Sequence, residues 1–300
     1  MVREQRLAVA AAMGSVLLWA SAFVGVRAAG RMLSAGPLSL GRLLVGSVAL
    51  GLLVAIRREP FPPRRDYRGL LICGLLWFGA YNVLLNQAER TVDAGTAAML
   101  VNVGPIFIAV LSGYILREGF PRRLLVGCAI AFCGTVIIGL ATSSRGLQAG
   151  VGAVLCIGAA AAYAAGTVAE KPLLARTSAL TITWMACTIG AIACLPFGPQ
   201  LVREARGLDA GTLGWVVYLG IFPTAFGFSF WAYALARTNA GRLSATTYLV
   251  PPLAVVLGWM ILGDTPPLLA LAGGALCLTG VAIARGARLP RRRMEIQPQP

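Results

Sequence analysis

The chain has 300 residues, of which 58% are hydrophobic and only 12% charged, with a mean hydropathy of +0.77. That is about half the charged fraction of a soluble protein, too little polar surface to cover a water-soluble globule of this size. A net charge of +15 would bring nucleic acid to mind, but the basic residues punctuate apolar runs, a pattern that the positive-inside rule explains without any nucleic-acid partner.

Since a bilayer core takes about 20 apolar residues per helix, the apolar runs predict ten spans, all α and integral to the membrane. They lie near 7–27, 36–56, 69–88, 95–116, 123–141, 149–169, 178–197, 212–235, 241–262 and 267–285. The first follows Arg3 and Arg6 and is too long for a cleaved signal peptide, so residues 1–6 read as a short cytoplasmic N-terminus. The last is followed by a basic tail, 286–300, which should lie against anionic lipid headgroups. With the N-terminus inside, nineteen Lys and Arg fall in inner segments and six in outer ones, which sets both termini in the cytoplasm of a multi-pass inner-membrane protein.

Slid by 146 residues, segment 88–137 lies on 234–283 without a gap and with fourteen identities. Ala94-Gly95 meets Ala240-Gly241, Pro105 meets Pro251, Glu118 meets Asp264, and Gly127 and Gly134 meet Gly273 and Gly280. The chain therefore divides into two five-span repeats, 7–141 and 149–285. Five is odd, so the second repeat enters from the opposite side, an inverted topology that places a substrate site near the midplane.

These residues resemble a family. Trp19-Ala20-Ser21-Ala22-Phe23 in the first span, Gly36-Pro37 followed by Arg42 in the second, and the doubled Ala-Gly…Pro…acid pattern are similar to EamA-type members of the drug/metabolite transporter superfamily. The resemblance implies ten-helix exporters, with amino-acid and aromatic amino-acid exporters as the nearest picture. It also implies export as the direction, and a cavity lined by spans 1, 3, 4, 6, 8 and 9.

Candidate cavity residues are aromatic and amide: Trp19, Phe23, Phe78, Tyr81, Asn82, Met99, Asn102, Tyr163, Trp184, Phe230 and Tyr248. Such a set suits an amphipathic neutral or zwitterionic small molecule. Arg42, the one basic residue well inside a span, has two readings: an anchor or gate for a substrate carboxylate, or a structural group bonding helix-end carbonyls, the latter favoured. Glu118 and Asp264 precede helices opened by proline and read first as caps; Pro105, Pro223, Pro251 and Pro252 are hinges or static kinks. Trp77, Trp215 and Trp259 read as interfacial belt residues.

The chain has no histidine, and its seven cysteines sit in apolar runs as packing residues, so neither metal, cofactor nor catalytic machinery is expected. No acidic residue falls within the expected spans at depth, which favours facilitated diffusion or exchange over proton antiport. A sugar-phosphate or nucleotide-sugar exchanger would want a central cluster of cations. An intramembrane enzyme or a scaffold has neither visible chemistry nor surface to work with. Small-residue faces fit a monomer or a homodimer.

Overall fold

The computed structural model describes residues 2–88, 90, 100–142, 151–262 and 267–286, and the statements below concern these. They are helical throughout, with no strand among them. Val2–Ala29 (α1) and Ala35–Arg57 (α2) follow one another. Arg64–Ala88 (α3) comes next, then the shorter apolar helix Gly104–Ile115 (α4) and Arg122–Thr142 (α5). Val151–Leu173 (α6) opens the second half, followed by Ala179–Ala193 (α7), Leu195–Ala205 (α8) and Ala210–Arg237 (α9). The final pair is α10, which runs from Ala240–Ser244 through the 3₁₀ turn Ala245–Leu249 into Val250–Leu262, and Leu268–Arg285 (α11).

Among the described residues eight helices are long and apolar enough to cross a bilayer, and α7 with α8, bent by 49° at Cys194, makes a ninth if counted as one span. Expected span 4 has its first residues outside the described ones. On α2, Val48, Leu52 and Ile56 are 60–76% exposed along one stripe, while Leu43, Leu50 and Val54 are buried on the other. In water such a stripe would be a liability; against lipid tails it is the ordinary surface.

Two departures from α geometry shape the interior. Gly74–Ala80 within α3 and Gly220–Gly227 within α9 are π-helical. The second contains Pro223, which has no N–H to give the carbonyl of Leu219. Thr224 Oγ1 also donates to that carbonyl, at 2.8 Å, a side-chain bond that reinforces the proline-interrupted ladder where no water is at hand. The wider turn lets α2 approach: a Cβ on Gly220 would stand 2.5 Å from Val45 Cβ and 2.8 Å from Arg42 O.

The helices α5 and α11 touch backbone to backbone through glycine. A Cβ on Gly134 would lie 2.5 Å from Gly273 O, and one on Gly280 2.5 Å from Gly127 O. The 146-residue offset exchanges these two contacts. Small residues let the backbones meet this closely without any hydrophobic drive between the helices.

Ionic and capping contacts tie the helix ends together. Arg176 pairs with the buried Asp66, joining the segment after α6 to the start of α3. Arg242 and Arg123 donate to the carbonyls of Arg285 and Gly286 that close α11. Such contacts satisfy helix C-termini and oppose their dipoles.

Candidate functional site

A cavity partly open to solvent lies between the halves of the chain. Its rim comes from the end of α1 (Val26), the start of α2 (Arg42), the end of α3 (Asn86) and the turn leading into α4 (Asn102), all on the side of the 30–34 turn. Asn86 fixes this corner by donating through Nδ2 to Ser39 Oγ at 2.8 Å.

The floor is aromatic. Trp77 stands 5.0 Å from Phe228 and 5.4 Å from Tyr163, ring centre to ring centre, and Trp19 is 5.3 Å from Phe228. Below them Trp231 closes on Trp19 at 5.1 Å. Edge-on and tilted contacts at these distances are the favoured aromatic geometries. The indole N–H of Trp19 donates to Pro223 O at 3.3 Å, tying α1 to the π-helical part of α9.

Among the described residues the lining holds one charged side chain, Arg42, which is only 7% exposed. Its Nε and Nη2 both donate to Thr224 Oγ1, at 3.2 and 3.1 Å. That hydroxyl has already committed its proton to Leu219 O, so its lone pairs face the guanidinium. A proline-induced irregularity on one helix thus aims a cation on another.

Of the expected cavity residues, Trp19, Phe23, Tyr81, Asn82, Asn102 and Tyr163 line this space, together with Arg42 and Pro105. Four others do not. Phe78 is fully buried in the core, 4.4 Å from Phe228 but behind the lining. Trp184 lies on the α7–α2 seam, against Gly51 and 6.0 Å from Phe61. Phe230 is 38% exposed on the outside of α9. Tyr248 is fully buried and outside the lining because the 3₁₀ turn re-aims this stretch, so that Thr247 and Val250 reach the cavity. Met99 and Asp264 lie outside the described residues. Pro251 is buried at the start of the Val250–Leu262 helix, away from the lining.

Glu118 does cap a helix, but not the one that follows it. Its two carboxylate oxygens accept from the N–H groups of Ala240 (2.9 Å) and Gly241 (3.2 Å), placing negative charge at the N-terminus of α10.

Two functional features escape the sequence reading. Trp77, expected at the membrane interface, is 1% exposed and forms part of the cavity floor. Glu170, placed beyond the end of the sixth span, lies within α6, which continues through Pro172 to Leu173; it is 2% exposed. A buried carboxyl is therefore present. The signal in the sequence was the Glu-Lys pair before Pro172, which also reads as an ordinary span boundary.

Chemically, the cavity offers one planar cation, amides on Asn82, Asn86 and Asn102, the phenol of Tyr81 and broad aromatic faces. It can hold a carboxylate at Arg42 and an apolar body against the floor. An ammonium can rest on aromatic faces without an acidic partner. No group of three or more potential metal-binding side chains occurs among the described residues.

The EamA-like transporter family matches residues 6–140 and again residues 150–286. A probable terminal-alkyne amino-acid exporter of Streptantibioticus cattleyicolor is 37% identical over 93% of this chain and 93% of its own. An uncharacterized transporter of Bacillus subtilis, YdfC, is 31% identical over 88% of this chain and 86% of its own. A probable amino-acid metabolite efflux pump of Salmonella typhimurium is 24% identical over 69% and 72%. A solved crystal structure superposes with a TM-score of 0.76 at 17% identity, covering 92% of this chain and 96% of that one, a likeness of fold.

Proposed function

The chain belongs to the EamA-like transporter family, a multi-pass membrane transporter of small molecules, and from that premise we propose that its cargo is amino acids, aromatic or large neutral ones first. The single observation that carries this reading is the cavity's composition. One buried guanidinium at the rim faces a neutral aromatic and amide lining, the chemistry that suits such a molecule. The names of two relatives, an amino-acid exporter and an amino-acid metabolite efflux pump, point the same way. A sugar-phosphate or nucleotide-sugar cargo fits less well, because a second cation is missing from the described lining.

The mechanism we infer is alternating access between two five-span repeats of opposite orientation, with both termini cytoplasmic and α7 and α8 forming one broken span. Two observations support the repeat: the paired family matches, and the glycine contacts of α5 and α11 that the 146-residue offset exchanges. In that orientation the cavity opens outward, while the aromatic floor and the capping contacts of Glu118 and Lys171 close the cytoplasmic side. Lys171 donates to the carbonyls of Leu235 and Thr238 at the end of α9. The basic tail would rest on the inner leaflet.

Binding can be tested on purified protein in detergent, since Trp19 and Trp77 stand in the cavity wall and report on its contents. Saturable changes in tryptophan fluorescence with phenylalanine or leucine, and none with a hexose phosphate, support the assignment; the reverse order of preference overturns it.

A further inference from the structure

Seven residues along α6 from the cavity, about 10 Å at 1.5 Å per residue, lies a carboxyl that solute binding does not use. Tyr163, Thr167 and Glu170 occupy positions i, i+4 and i+7 of one helix face, and are 6%, 0% and 2% exposed. Tyr163 borders the cavity; Glu170 sits toward the closed end of the bundle. The phenol oxygen of Tyr163, Oγ1 of Thr167 and Oε2 of Glu170 are all buried without a hydrogen-bond partner among the described residues. Trp231 Nε1, on the facing helix α9, is in the same condition, its ring 6.4 Å from that of Tyr163.

One buried polar atom left unpaired costs about 1–3 kcal/mol. Four along one seam are a poor way to pack two helices, since alanine and leucine would fill it without penalty. They are, however, what a proton route requires: hydroxyl groups that both donate and accept, ending at a group that can hold the proton.

The surroundings of Glu170 are sparse in charge. The titratable groups facing it are Lys171 of its own helix and Cys73 of α3. Other charges on the packed elements are engaged elsewhere: Arg237 sits over the Tyr233 ring, and Arg242 donates to Arg285 O. Lys171 is the residue whose ammonium holds the end of α9, and it also feels Glu118. A change of charge at Glu170 is therefore felt by the contact that closes the cytoplasmic side.

We propose that Glu170 is the proton-coupling residue of this transporter, reached from the cavity along Tyr163 and Thr167. The step balances simply: the carboxylate takes one proton to become the neutral acid and later returns it to the other side, with no other bond changed. The inference rests on the transporter reading and replaces the expectation of uncoupled exchange, which had assumed that no carboxyl is buried.

Two measurements test it. In the first, tryptophan fluorescence of the purified protein is followed from about pH 4 to 9, with Trp77 and Trp231 as reporters. Wild type and Glu170→Asp show a titration step, and Glu170→Gln lacks it. The same step in Glu170→Gln, or no step in wild type, overturns the proposal.

In the second, proteoliposomes containing wild type or Glu170→Gln are offered labelled phenylalanine and leucine. The variant loses accumulation driven by an imposed proton gradient by at least about tenfold while keeping solute-for-solute counterflow. An equal loss of both activities makes Glu170 structural and overturns the coupling role. Should wild type move neither amino acid, the cargo reading has failed, and the fluorescence measurement alone decides the role of Glu170.

Discussion

Arg42 offers the sharpest quantitative prediction. Its guanidinium is buried at the cavity rim and donates to Thr224 Oγ1 through Nε and Nη2. If it receives the cargo's carboxylate, replacing it by glutamine removes a charge-assisted hydrogen bond worth about 1.5–3 kcal/mol. At 1.4 kcal/mol per decade this raises the KM for phenylalanine about 10- to 140-fold. The control is the cargo itself: phenylalaninol keeps the ring and the amine but lacks the carboxylate. Wild type should prefer phenylalanine over phenylalaninol by the same factor, and Arg42→Gln should treat the two nearly alike. The assay is competition by each compound against labelled leucine counterflow in proteoliposomes. Should Arg42→Gln weaken both compounds equally, Arg42 supports the structure only, and the carboxylate is held elsewhere.

Other consequences follow from the same geometry. Thr224→Val removes the hydroxyl that donates to Leu219 O and accepts from Arg42, and should lower stability by about 1–3 kcal/mol, read as a lower midpoint of thermal unfolding in detergent; an unchanged midpoint contradicts the role given to the hydroxyl. Gly280→Ala pushes a Cβ to 2.5 Å from Gly127 O, and backbone cannot yield as a side chain can. The expected penalty is about 1–3 kcal/mol, whereas Gly214→Ala, with nothing within 4 Å, should show little loss. Trp19→Ala should impair leucine counterflow, while Trp184→Ala and Phe230→Ala, which lie off the cavity, should retain it; the opposite ranking would relocate the site. A fluorescent protein fused after Pro300 should mature and glow, as expected for a cytoplasmic C-terminus, and a dark fusion would reverse the topology.

Much of the fold was legible because the bilayer imposes a length and a composition on each span. The runs at 36–56 and 123–141 became Ala35–Arg57 and Arg122–Thr142, bounded by the arginines that stop them. The seventh run, 178–197, breaks at Cys194, just before the Leu195-Pro196 that opens the next helix, and the chain turns by 49°. The site was less legible, for a reason of geometry. A π-helical turn advances fewer degrees per residue than an α-turn, so a face counted at 3.6 residues per turn drifts off register. Trp77 lies within such a stretch and points inward instead of to the interface. Tyr248 lies in the opposite case, a 3₁₀ turn, and leaves the lining to Thr247. Glu170 was hidden differently: a charged pair marks a boundary in most chains, but here Lys171 reaches the end of α9 while Glu170 stays beneath the surface. That partnership joins residues 67 positions apart and no local pattern announces it.

The most direct measurement of the central claim is uptake of labelled phenylalanine, leucine and a hexose phosphate by proteoliposomes containing the purified chain, beside empty vesicles and the Trp77→Ala variant. Saturable uptake of the amino acids, absent from empty vesicles and weakened by Trp77→Ala, is the expected result. Transport of the hexose phosphate in preference to both amino acids, or amino-acid uptake indifferent to Trp77, would contradict the account.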